Sequence, residues 1–169
     1  MSDIRINVPE DRTVIILKRI QNKIGGYKGY KDGGDARIST QSLYDEIRKR
    51  TDICLSNMSA ALENLEMYGK MDESNKAREV FKEIGELKNL HFDLPSNPVP
   101  VSQEKLQELY FSDEIGFKNS IDLLDNINSF RSASISGDFD EGVLSKIKGN
   151  VESIKKFVVE RNSFLSVKN

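Results

Sequence analysis

Apolar residues recur along this chain at steps of three and four, the period of a helix buried on one face. The clearest run is Tyr44, Ile47, Thr51, Cys54, Met58, Ala61, Leu65 and Tyr68. From Ile47 onward it is a heptad seam, the pattern of helices that pack along their length. It predicts a helix over 39–69. Ala77, Val80, Phe81, Ile84 and Leu87 mark a second helix over 72–91, and only Gly69, Lys70 and Met71 join the two. So short a turn forces an antiparallel hairpin.

Leu106, Leu109, Tyr110, Phe117, Ile121, Leu124 and Ile127 carry a third long stripe, over 102–131. Ser112, Asp113 and Glu114, followed by Gly116, are a candidate kink in it. Val143, Ile147, Val151, Ile154, Val158, Arg161 and Leu165 carry a fourth, over 138–166. Asp138, with Glu141 three residues on, reads as its capping box. A shorter helix begins near Pro9, runs through Val14 and Leu17, and stops at Gly25 and Gly26, because glycine accepts the left-handed C-terminal cap. Ile4, Ile6 and Val8 read as an extended lead-in.

The predicted fold is all-α: an antiparallel bundle of four long helices, an N-terminal helix alongside, and one proline-rich crossover. Residues 93–101 hold three of the four prolines and are the only candidate sub-boundary. Two helical pairs are each too thin to bury both faces. Residues 1–169 therefore read as one domain.

Composition excludes several function classes. Cys54 and His91 are the only residues of their types. An intrachain disulfide, a Cys/His zinc site and a di-iron bundle built on Glu-x-x-His pairs all fall away. The lone cysteine, the absence of an apolar run longer than residues 14–17 and a non-signal-like N-terminus together predict a cytoplasmic protein without a transmembrane segment. No cofactor and no metal are expected. Acid pairs such as Glu63 and Glu66, or Glu83 and Glu86, read as solvated helix faces. An enzyme built on such carboxylates ranks last among the readings.

Net charge is −2 but unevenly spread: residues 1–50 carry +4 and residues 51–169 carry −6. The positive part surrounds the oddest segment, residues 25–36, where five of the eleven glycines fall within ten residues. That density predicts a loop without helix or strand. Tyr27 and Lys28, then Tyr30 and Lys31, repeat a Gly-Tyr-Lys unit, with Lys18, Arg19 and Lys23 just upstream. Rings and cations on a flexible backbone suit docking to an acidic partner, or holding a phosphate and stacking a base. A plainer alternative is that the tyrosines pack over the end of the bundle.

Ile24, Gly26, Tyr27, Lys28, Gly29, Tyr30 and Lys31 carry a resemblance to poorly characterised prokaryotic helical proteins. In those, an apolar helix runs into a Gly-Tyr-x-Gly-Tyr-x turn and a charged amphipathic helix follows. The resemblance spans about thirty residues and implies an all-α fold with no assigned activity.

The functional expectation is a non-enzymatic interaction or scaffold domain with a protein partner. Its contact surface would be the N-terminal helix, with Lys18, Arg19 and Lys23, together with a mobile loop over 25–36 that carries Tyr27, Lys28, Tyr30 and Lys31. The alternative is a module for nucleic acid or another phosphate-bearing ligand at the same loop. The seam over 39–69 is a candidate homodimer contact.

Overall fold

The computed structural model describes residues 12–95 and 102–165. The expected lead-in, the helix start near Pro9 and most of the proline-rich connector lie outside the described residues. Helix takes up 84% of what is described, with no strand. The elements are α1 (Arg12–Lys23), α2 (Gly33–Met67), α3 (Met71–Glu86) with a 3-10 turn at Leu87–Asn89, α4 (Gln103–Ile135) and α5 (Glu141–Leu165).

Five helices pack against one another. α2 lies against α3 and α4, α5 against α4 and α3, and α1 against α4. The tight turns make α2–α3 and α4–α5 hairpins. Gly69 sits at φ +70° in the first, where the Lys70 N–H reaches back to the Leu65 carbonyl. The two hairpins lie side by side with α2 and α4 in the same direction. Asn57 Nδ2 donates to Asn128 Oδ1 (2.8 Å), and Asn64 Nδ2 to the Ser134 hydroxyl (3.0 Å). α1 also runs with α4, since Gln103 reaches Thr13 while Arg19 pairs with Glu114.

The predicted stripes supply the core. Ile47, Cys54, Met58, Ala61 and Leu65 from α2 meet Val80 and Ile84 from α3, Leu109, Phe117 and Ile127 from α4, and Ile147, Val151 and Ile154 from α5. The seam over 39–69 is thus taken up by the chain's own helices. A dimer through it would have to open that core. Burial at this scale is the main favourable term, at about 1.5–3 kcal/mol for each large side chain removed from water.

Three boundaries differ from the sequence reading. α2 begins at Gly33, inside the segment predicted to hold no helix. The Asp32 carboxylate accepts from the N–H groups of Gly34 (2.8 Å) and Asp35 (3.2 Å), and Ala36 N–H closes the first turn on the Asp32 carbonyl. A cap of that kind stabilises a helix by about 0.5–2 kcal/mol, which offsets the cost of early glycines. α4 runs as one helix through Ser112–Gly116 and is not split there. Gly116 instead lets α5 approach, because the Phe157 ring lies where a β-carbon would stand. α5 is capped by Asp140, whose carboxylate accepts from Val143 N–H (3.1 Å), and not by Asp138. Within α4, Leu123 takes the core position expected of Leu124, which is only partly buried.

Candidate functional site

The loop between α1 and α2 begins as the glycine pattern requires and then does something else. Gly26 and Gly29 adopt φ +84° and +101°. At Gly29 a β-carbon would stand 2.3 Å from the Tyr110 hydroxyl, so only glycine lets the strand of loop lie on α4. The Ser39 hydroxyl, on the first turns of α2, accepts from the N–H groups of Lys28 and Gly29 (both 2.8 Å) and donates to the Gly29 carbonyl (3.1 Å). The loop backbone is therefore pinned at its middle by one side chain.

Its two tyrosines point inward. Tyr27 is 2% exposed and Tyr30 1%. Both hydroxyls donate to Asp113 Oδ2, Tyr27 at 2.7 Å and Tyr30 by a shorter contact. Asp113 Oδ1 accepts from Arg161 Nε on α5 at 2.9 Å. Arg161 Nη2 donates to the Tyr30 hydroxyl and to Thr40 Oγ1 (2.9 Å). The Tyr110 hydroxyl accepts from Tyr30 N–H at 3.1 Å, and the rings of Tyr27, Tyr30 and Tyr110 pack edge-on or tilted with centroids 5.5–6.3 Å apart. The Arg161 side chain is fully buried, its guanidinium carbon 5.5 Å from the Tyr30 ring centre and 5.8 Å from that of Phe92. Its Nη1 has no hydrogen-bond partner.

This cluster ties the loop, α2, α4 and α5 together around one ion pair. Burial raises the tyrosine hydroxyls well above their ordinary range, and the Asp113 charge adds to the rise. Burial alone would lower Arg161, but Asp113 outweighs it and the guanidinium is held charged. At neutral pH the phenols of the cluster are therefore neutral and its guanidinium is charged. The Tyr27 and Tyr30 hydroxyls are buried and both are committed to Asp113. Burial also pushes the Cys54 thiol up to about 12, so that side chain behaves as a small apolar group.

The structure splits the seven expected contact residues. Tyr27 and Tyr30 are in the core, so a mobile loop with rings offered to a partner is corrected to an anchored loop. The plainer alternative, tyrosines packed against the helices, describes them. Buried rings with committed hydroxyls also cannot stack a base. Lys18, Arg19, Lys23, Lys28 and Lys31 are exposed. Arg19 makes a two-point contact with Glu114, Nε to Oε2 at 2.9 Å and Nη2 to Oε1 at 2.8 Å. Among the described residues no acid lies within ion-pair distance of the other four. Arg12 and the half-exposed Val14 and Ile15 complete the outward side of α1. From Arg12 to Lys31 there are six basic residues and no acid.

Asp113 and Arg161 were not recognised as a pair by sequence reasoning. Each left one signal. Arg161 stands in the apolar register of α5, four residues before Leu165. Asp113 stands between Tyr110 and Phe117 at steps of three and four. A charge at a core position asks for a partner, and these are the two that answer each other.

Comparison with family models, with curated proteins and with solved structures finds no match to this chain. Among the described residues, no three of His, Cys, Asp and Glu gather where they could hold a metal ion. No helix among them is long and apolar enough to cross a membrane.

Proposed function

We propose that this chain is a non-enzymatic interaction domain that docks an acidic protein partner on the outward face of α1 and the adjoining loop. In this reading the four long helices form a four-helix bundle made of two antiparallel hairpins whose α2 and α4 run side by side in the same direction, with α1 laid on it as the contact element, in an intracellular setting that leaves Cys54 reduced. The observation that carries it is the acid-free stretch from Arg12 to Lys31, whose cations are all exposed and, Arg19 apart, unpaired among the described residues. Unpaired cations gathered on one side raise the local potential and steer an anionic surface toward it. Val14 and Ile15 add an apolar strip beside them, which favours a folded or helical protein surface over a bare polyanion. The buried Tyr–Asp–Arg cluster has a supporting part here: it fixes the loop, and so the positions of Lys28 and Lys31.

The test replaces Lys18, Lys23, Lys28 and Lys31 with serine and compares pull-downs from the native host. The variant is expected to keep its thermal melt and lose an acidic protein that the parent retains, with binding that weakens as salt rises. A retained species that is destroyed by nuclease would instead favour a nucleic-acid ligand. An unchanged partner list would remove this face from consideration.

A further inference from the structure

A second surface lies apart from the cationic face. α1 covers one side of α4 through Arg19 and Glu114, and α5 covers another through Phe157 against Gly116. The arc of α4 between them faces outward and carries two large apolar side chains, Phe111 (49% exposed) and Ile115 (44% exposed). Both border the groove between α4 and α5, together with Glu108 and, on the α5 side, Phe157 and Lys156. A pair of exposed apolar residues on the outward arc of a long helix, here in the N-terminal half of α4, is what an interface core looks like before its partner arrives.

The flanking charges say which partner fits. On this arc the residues follow the order Glu104, Glu108, Phe111, Ile115, Lys118, Asp122, at steps of 4-3-4-3-4. That spacing is symmetric about the level of residue 113. In an antiparallel pair of α4 helices related by a two-fold axis at that level, Phe111 meets Ile115 of the second copy, and Glu108 meets its Lys118. Two-fold contacts are isologous, so each such pairing occurs twice. Glu108 and Lys118 are both exposed and make no ion pair among the described residues. The like-charged Glu104 and Asp122 would also fall opposite one another. They stand farthest from the axis, where crossing helices diverge.

We propose that the outward face of α4 is a homodimer contact, with Phe111 and Ile115 at its centre and reciprocal Glu108–Lys118 pairs at its edge. The contact is independent of α1 and its loop, so it stands or falls apart from the acidic-partner reading.

The experiment is sedimentation equilibrium on the full chain and on three variants at exposed positions: Phe111→Ser, Glu108→Lys and Lys118→Glu. The parent is expected to dimerise. Phe111→Ser should weaken dimerisation about tenfold or more, as loss of a central aromatic does. Each charge variant alone places like charges opposite one another twice and should weaken it similarly. An equimolar mixture of Glu108→Lys and Lys118→Glu restores both pairs in a mixed dimer, and its affinity should return to within about threefold of the parent. That rescue cannot come from misfolding, since neither protein has changed. A parent that stays monomeric at hundreds of micromolar, or dimers indifferent to the three substitutions, or a mixture that fails to recover, each overturns the proposal.

Discussion

Replacing Asp113 with alanine removes the acceptor for three buried donors: both tyrosine hydroxyls and Arg161 Nε. It also leaves a guanidinium that is fully buried and already has one unpartnered nitrogen. Breaking a buried pair by removing one member costs about 3–5 kcal/mol, because the remaining charge has lost its counter-charge and has no water. For a chain of this size each kcal/mol moves the melting temperature by about 2–4 °C, so Asp113→Ala is expected to melt roughly 6–20 °C lower. Much of a typical total of about 5–15 kcal/mol would be gone. Arg161→Met should cost a similar amount for the converse reason. The double variant tests the cause. With both charges absent, no ion is stranded, and the loss should fall short of the sum of the single losses by about 2 kcal/mol or more. It should not return to the parent value, since Tyr27 and Tyr30 still lack their acceptor. Urea melts measure all four proteins, with the midpoint read at constant slope. A single-variant loss below about 1 kcal/mol, or losses that simply add, would refute the view that this ion pair is the anchor of the loop.

Gly29→Ala should be among the most damaging small substitutions, costing about 2 kcal/mol or more by thermal melt. It combines a φ of +101° with a β-carbon only 2.3 Å from the Tyr110 hydroxyl. A melt unchanged within a degree or two would mean that the loop does not lie on α4. Stability is also expected to fall in alkali. Tyr27, Tyr30 and Tyr110 have raised values when folded, so their contribution is complete below the ordinary value of 10.0 and is lost as pH rises past it, when the unfolded chain sheds its phenolic protons first. Cys54 adds to the fall from about pH 9 upward, since its thiol is likewise raised. Urea midpoints across this range, with phenolate absorbance followed in parallel, check it; early titration of all tyrosines in the folded protein would be the contrary result.

The α-helical class, the α2–α3 hairpin and most core positions were legible along the chain, because a helix with one buried face must repeat its apolar residues every three or four positions and a three-residue join turns the chain back on itself. Ile47, Cys54, Met58, Ala61 and Leu65 on α2, and Ile147, Val151 and Ile154 on α5, are buried where their spacing put them. The start expected at 102 for the third long stripe also holds: Ser102 caps α4, its hydroxyl accepting from Lys105 N–H. Local chemistry left other points open. Glycine density at residues 25–36 describes what the backbone is free to do, and gives no account of what holds it. The single acceptor Asp32 turned the end of that segment into helix, and Ser39 fixed its middle. The direction in which Tyr27 and Tyr30 point was decided by Asp113 and Arg161, which lie 86 and 131 residues farther along the chain from Tyr27 and Tyr30 respectively. Periodicity reports which face of a helix is buried. Whether a polar side chain is buried with it depends on a partner from another helix, and only packing brings that partner within hydrogen-bond reach.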